Sequence, residues 1–319
     1  KEGQRRIWQF TQTHNYVVVT DVANYFDAIP LSQLRNRIAS LGHFEEVVLD
    51  LLFYTLESLA WRPEYLPQSG TGLPQIQFEA PRLLAHAYLY EADRFLRRAC
   101  KNDVVRWMDD ISFGVDDVES AKKVLRDLDE LLASLGVRLN TGKTQILSAA
   151  EGVRYFRMRE NRYLSAVENM LNLLPSSAVT KVRVARYLRS LYRRFTAGDR
   201  FGYWDKIVKR FFTLFGRLDD AYMQRWVPQI LENNPSLRAA AFNYYRTLGY
   251  SRKRFKHIRA FVLSAHCLDD ASVGAACRLL VDWSIPRRGQ SPAETIHIAQ
   301  SIAASGGQRT ARTCAATCC

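Results

Sequence analysis

Cysteine is scarce and poorly placed for structural chemistry. Of the six present, Cys314, Cys318 and Cys319 crowd the C-terminal end and Cys100, Cys267 and Cys277 are scattered. That distribution supplies neither a disulfide framework nor a zinc-ligand spacing, and redox chemistry is not expected. Long apolar runs are missing as well. Nothing approaches the roughly 18 uninterrupted apolar residues of a membrane span, and the opening KEGQRRIWQF lacks the apolar core of a secretion signal. The expected location is therefore cytoplasmic, with no membrane partner. Acids are in deficit: 32 Asp and Glu against 45 Lys and Arg leave a formal net charge of +13. Such a field attracts polyanions such as nucleic acid, although a solubilising surface would carry the same sign.

What is present suits a globular chain, since 319 residues with 47% hydrophobic and 12% aromatic content can fill a real core. YVVVT (16–20) is a β-branched run ending at Asp21, and NDVVRWM (102–108) repeats that design before Asp109 and Asp110. Both read as buried strands tipped with carboxylates. Between them, LSQLRNRIASLGHFEEVVLDLLFYTLESLAW and EAPRLLAHAYLYEADRFLRRAC space their apolar residues as helices do, separated by the Pro- and Gly-rich RPEYLPQSGTGLPQ. FGVDDVESAKKVLRDLDELLASLG predicts a helix with acids in its first turn, stopped by Gly136. VRLN (137–140) predicts a short strand leading into TGKTQIL, and VRYFRMRENRYLSAV a hairpin turning at REN. From about Pro175 the pattern is helical, broken at AGDRFG and LENNPS. The fold class is thus α+β, followed by an all-α part.

The helical part is basic and aromatic. Lys181, Arg183, Arg186, Arg189, Arg193, Arg194, Arg200, Lys206, Lys209 and Arg210 interleave with Tyr187, Tyr192, Phe195, Tyr203 and Trp204. The mixture suits phosphates and stacked bases, and Arg183, Arg186, Arg189, Arg193 and Arg194 are the candidate nucleic-acid contacts. A helical bundle with an aromatic core and solvated arginines would look similar.

Two adjacent buried aspartates repel each other unless a cation neutralises them. Neighbouring residues on a strand face opposite ways, so Asp109 and Asp110 share a site only at a tight turn, and VVRWM, two aspartates and ISFGV have the symmetry of a hairpin. Asp21 at a neighbouring strand end would complete an oxygen-rich site for Mg²⁺. Carboxylate sites of this kind hold two ions about 3.5–4 Å apart and serve in-line displacement at phosphorus, the chemistry of nucleotide polymerisation. The acidic pairs Asp116–Asp117 and Asp269–Asp270 read instead as solvated turns.

VVVTDVANYFDAI, GLPQ with EAPRLLAHAYLYEADRFL, VVRWMDDISF and LGVRLNTGKTQIL resemble, in order and spacing, motifs A to D of reverse transcriptases over roughly residues 14–165. VRYFRM stands where that family has its primer-grip hairpin. The resemblance implies a right-hand polymerase palm with partial fingers over 1–165 and a basic helical thumb or C-terminal domain over 166–305; the tail over 306–319 has no packing pattern and is expected to be disordered. It implies RNA-directed DNA polymerase activity on deoxynucleoside triphosphates, with an RNA template, a DNA product and two Mg²⁺ or Mn²⁺ ions. Asp21 and Asp109 would bind both ions, the carbonyl of Val22 would reach one, and Asp110 would support the site electrostatically and act as a metal ligand in some steps. Phe26 occupies the position of the gate against a ribose 2′-hydroxyl, and Gln75 would lie against the incoming nucleotide. Lys143 would approach the departing pyrophosphate, where an ordinary loop lysine is the alternative. A P-loop reading of TGKT lacks its upstream glycine.

Three departures stand out. Ile76 follows Gln75 where the family usually has Gly, Trp107 stands where Tyr or Phe is commoner, and about twenty residues precede Asp21, too few for the fingers that hold the triphosphate. The phrasing is most like bacterial anti-phage defence and abortive-infection reverse transcriptases. That implies synthesis from a non-coding RNA or from a protein hydroxyl, in a homo-oligomer or ribonucleoprotein. The competing expectation is a catalytically silent nucleic-acid scaffold that keeps the fold.

Overall fold

A computed structural model describes residues 2–60, 70–74, 79–173, 178–267, 269–286 and 290–304. Gln75, Ile76 and the 306–319 tail lie outside them. The chain divides into two compact units, Lys1–Phe156 and Arg157–Cys319, against an expected boundary at 165. Among the described residues no helix is long and apolar enough to cross a membrane.

The first unit is built on a four-stranded antiparallel sheet of β1 (Tyr16–Thr20), β2 (Val104–Trp107), β3 (Asp110–Val115) and β4 (Gln145–Ser148), in the order β2-β3-β1-β4. β1 is central, with Val19 opposite Ser112 on one side and Gln145 on the other. Its unbroken valines follow from that place, because both faces of the sheet are covered by helices. Val18, Ile111 and Phe113 face a core filled by α3 (Leu31–Leu41), α4 (Glu46–Leu59), α5 (Glu79–Tyr88), α6 (Tyr90–Ala99) and α7 (Val118–Ser134). The side chains of Ile111 and Phe113 are fully buried, each worth about 2 kcal/mol against exposure. On the other side lie α1 (Glu2–Thr13) and α8 (Ala149–Tyr155). A Cβ on Gly152 of α8 would stand 3.3 Å from Thr11 and 3.6 Å from Val17, so the helix packs close only because that position is bare.

The α7 expectation holds in detail. Asp117 caps its first turn by accepting from the Ser120 N–H, and Gly136 ends the region at φ +73°. Asp116 belongs to no idle turn, since it is bonded to His14. Asp269 likewise caps α15 (Asp270–Asp282) and pairs with Arg238.

Two expectations fail. VRYFRMRENRYLSAV is no hairpin: residues 153–158 run from the end of α8 into α9 (Met158–Leu173), joined at Arg157 with φ +51°. The aromatic and β-branched density suggested strands, but Ser148 and Glu151 form a capping box that starts a helix, and Leu164 and Val167 bury at helical spacing. VRLN is no strand either. It contributes a single bridge, Leu139 opposite Val22, and the strand that joins the sheet is the later QILS.

In the second unit the described residues form helices throughout: α9, α10 (Ala178–Thr196), α11 (Trp204–Arg217), α12 (Val227–Asn233), α13 (Pro235–Leu248), α14 (Arg252–Val262), α15 and α16 (Gln290–Ala304), with a 3₁₀ turn at Ala221–Arg225. Its core is strongly aromatic, including Tyr192, Phe195, Trp204, Phe211, Phe212 and Phe215.

Candidate active site

β2 and β3 meet in a two-residue turn, Met108–Asp109, closed by the pair Trp107–Asp110. Met108 takes φ +57°, a left-handed conformation that favours glycine and is held here by side-chain bonds. The holder is Arg106. Its guanidinium donates to both carboxylate oxygens of Asp93 at 2.6 Å, to the Met108 carbonyl at 2.8 Å and to the His86 carbonyl at 3.1 Å. Sequence reasoning passed over Arg106. An arginine inside an apolar strand was the available signal.

The turn places Asp109 beside the end of β1. Val22 N–H donates to the Asp109 carbonyl at 3.3 Å, while on the opposite edge Ala23 N–H donates to Arg138 and Asn140 N–H to Asp21, at 2.8 and 2.7 Å. In this antiparallel pattern Val22 is a non-hydrogen-bonded partner of Leu139. Its N–H and carbonyl therefore both point to the Asp109 side.

Asp21 is buried, and the Asp109 carboxyl lies close enough to those of Asp21 and Asp110 to feel their charge. Burial holds the Asp109 carboxyl above the usual carboxylate range, and the nearby Asp21 and Asp110 raise it further. Asp21 Oδ2 also receives Lys143 Nζ at 2.7 Å and Asn140 Nδ2 at 3.3 Å. Lys143 sits in a 3₁₀ turn, Thr141–Lys143, and its ammonium is held above its ordinary pKa chiefly by that bond to Asp21. A hydrogen bond of 2.7 Å between Thr20 and Thr144 fixes the turn beside β1. Among the described residues no three His, Cys, Asp or Glu side chains gather into a ready-made metal cage. The acids of this corner are instead neutralised in part by the lysine. The ligand atoms this corner offers are hard oxygens, and burial, with the neighbouring acids, lifts the proton affinity of Asp109. A divalent cation suits that chemistry.

Phe26 lies in the one-turn helix α2 (Tyr25–Ala28) and is partly buried against Tyr25, with ring centroids 5.8 Å apart. Leu73 N–H donates to the Phe26 carbonyl and Gly72 N–H to that of Ile29, both at 2.8 Å. The segment leading to Gln75 is thereby tied to Phe26. Gly72 has φ +94°, and a Cβ there would meet the Asp27 backbone at 3.3 Å, so this close approach requires glycine.

Among the expected nucleic-acid contacts, Arg183, Arg186, Arg193 and Arg194 are exposed on α10. Arg189 is engaged otherwise: it grips buried Asp220 at 2.9 and 2.7 Å and lies over Tyr222. Tyr192, Phe195 and Trp204 are core residues, whereas Tyr187 is exposed.

Two carboxylates and an ammonium, gathered at a strand end and a tight turn, make a site suited to holding cations and phosphates. A comparison with protein families matches residues 3–165 to reverse transcriptase (RNA-dependent DNA polymerase). The chain belongs to that family, a family of nucleotidyltransferases that use divalent metal ions and act on nucleotide and nucleic-acid substrates. A search of curated proteins gave no match.

Proposed function

We propose that the chain adds deoxynucleotides to a growing DNA strand by two-metal phosphoryl transfer, with this corner of the first unit as the palm active site. The reading is carried by one observation: the Met108–Asp109 turn lies against the end of β1, where Val22 N–H donates to the Asp109 carbonyl, and Lys143 donates to Asp21 Oδ2 at that same strand end. Asp21, Asp109 and the Val22 carbonyl would hold two Mg²⁺ or Mn²⁺ ions, supported by Asp110. Ions bound there would supply the charge that activates the attacking hydroxyl and steadies the leaving oxygen. Lys143 moves from Asp21 to the departing pyrophosphate and gives it charge or a proton. Phe26 excludes the ribose 2′-hydroxyl, and Gln75 positions the nucleotide. The exposed α10 arginines hold the nucleic-acid backbone. The phrasing of the motifs supports a role in bacterial anti-phage defence, with a non-coding RNA template or a protein primer, in a homo-oligomer or ribonucleoprotein.

The test is incorporation of labelled deoxynucleotides by the full chain with Mg²⁺ or Mn²⁺. Incorporation is expected in the wild type and lost in Asp109→Ala/Asp110→Ala; incorporation that persists in the double variant refutes the assignment. The contact between Lys143 and Asp21 also favours a second reading, a silent scaffold whose carboxylates are satisfied by lysine. A wild type that binds nucleic acid and neither binds Mn²⁺ nor incorporates nucleotides would establish it.

A further inference from the structure

One helix of the first unit is apolar on two sides. Leu49, Phe53 and Leu56 of α4 are buried in the core, while Val47, Leu51 and Tyr54 keep helical spacing on the opposite side and are 76%, 65% and 70% exposed. Val48 is exposed beside them. The solvent side of a surface helix ordinarily carries polar groups, and a contiguous exposed apolar stripe marks a face that something else covers. The acids around it describe that partner. α4 holds no Lys or Arg, and Glu45, Glu46, Asp50 and Glu57 surround the stripe in a chain of net charge +13. Arg35 is shared between Glu46 and Asp50; among the described residues Glu45 and Glu57 pair with no cation.

α6 offers the complement. Arg94, Arg97, Arg98 and, just past its end, Lys101 share the side facing away from buried Ala92 and Leu96. All four are exposed, and among the described residues none forms an ion pair. The acids of the same helix, Glu91 and Asp93, are taken by Arg37 and Arg106. Leu83 on α5 and Tyr90 at the head of α6 add exposed apolar side chains. Both faces belong to the first unit and both are exposed there, so neither covers the other within one chain. Setting α4 on α4 of a second copy would gather acids on both sides of the contact, whereas setting it on α6 of a second copy opposes acids to arginines.

We propose that α4 of one chain docks on the α5–α6 face of a second copy, with Val47, Leu51 and Tyr54 against Leu83 and Tyr90, and Glu57 against the α6 arginines. The contact joins two different faces, so it is doubled across a two-fold axis or repeated around a ring. It supplies the surface for the homo-oligomer proposed above and rests on that part of the reading alone.

Sedimentation of the full chain across a concentration series tests it, with poly(U) RNA binding measured in parallel. The wild type should assemble into two or more chains. Leu51→Glu, at an exposed position, should weaken assembly at least about tenfold. Glu57→Arg and Arg97→Glu each set like charges against each other and should do the same, whereas the double variant, with the charges exchanged, should return to within about threefold of the wild type. A monomeric wild type overturns the proposal and the homo-oligomer with it. Assembly that ignores Leu51→Glu, or a double variant no stronger than the single ones, overturns this docking surface and leaves the homo-oligomer standing. An Arg97→Glu variant that loses poly(U) binding and keeps its assembly gives α6 to nucleic acid, which overturns the docking as well. Assembly is read without nucleotide addition, so its failure and that of the polymerase reading are separate results.

Discussion

Arg106 closes on both carboxylate oxygens of Asp93, 2.6 Å from each, and the same guanidinium supports the Met108 carbonyl at 2.8 Å. The Arg106 side chain is only 2% exposed, which makes this a buried pair whose breakage strands a charge. Asp93→Asn should cost about 3 kcal/mol in denaturant unfolding of the first unit. Arg106→Lys keeps the charge but loses the fork, so the turn under Asp109 loosens and nucleotide addition falls. A loss below about 1 kcal/mol in Asp93→Asn would rule out a buried pair.

In the proposed site a divalent ion would compete with Lys143 for Asp21. Removing the ammonium in Lys143→Met should therefore strengthen Mn²⁺ binding, read by the paramagnetic resonance of the free ion. It should also slow nucleotide addition by roughly 10²-fold, the usual contribution of a positioned proton donor. Asp109→Asn should weaken Mn²⁺ binding. Weaker Mn²⁺ binding in Lys143→Met would mean that the lysine supports the ion site instead of competing for it.

The parts legible in the sequence were those governed by neighbours in the chain. The apolar runs of β1, β2 and β3 and the paired aspartates between them announced a hairpin, and Asp117 and Gly136 marked the ends of the α7 region. The capping box of Ser148 and Glu151 was readable too, but the aromatic density beyond it outweighed that signal. What stayed hidden depends on contacts between distant segments. Arg106 finds Asp93 on another element, and Lys143 reaches Asp21 across 122 positions. Arg189 looked like its basic neighbours on α10 until Asp220 folded against it.

Phe26 is fixed by Tyr25 on one side and by the bond from Leu73 N–H to its carbonyl. If Phe26 is the gate, a ring held this way would resist displacement by a ribose hydroxyl. Phe26→Ala should raise ribonucleotide relative to deoxynucleotide incorporation by about tenfold or more, a change of about 1.4 kcal/mol in relative transition-state free energy. Unchanged selectivity would remove the gate role.

His14 stands between Asp103 and Asp116, with each ring nitrogen 2.8 Å from a carboxylate oxygen. Both nitrogens then donate, which is the imidazolium form. Burial works against that charge, but the bonds to Asp103 and Asp116 outweigh it and hold the pKa above 6.5. The clamp is therefore complete below pH 6.5 and is lost as pH climbs through the raised folded value. Asp116 is well exposed, so solvent screening limits the effect to about 1 kcal/mol. Unfolding measured from pH 5 to 9 should show this decline in the wild type, and His14→Gln should flatten it.

Gly114 leaves room for that clamp. A Cβ there would stand 2.4 Å from His14 Cδ2, and the imidazole cannot step aside without giving up a carboxylate. Gly114→Ala should cost about 2 kcal/mol, within the usual range for overpacking. With His14→Ala the obstruction disappears, so the double variant should lose clearly less than the sum of the two single losses. Additive losses would show that the alanine harms β3 in some way unrelated to His14.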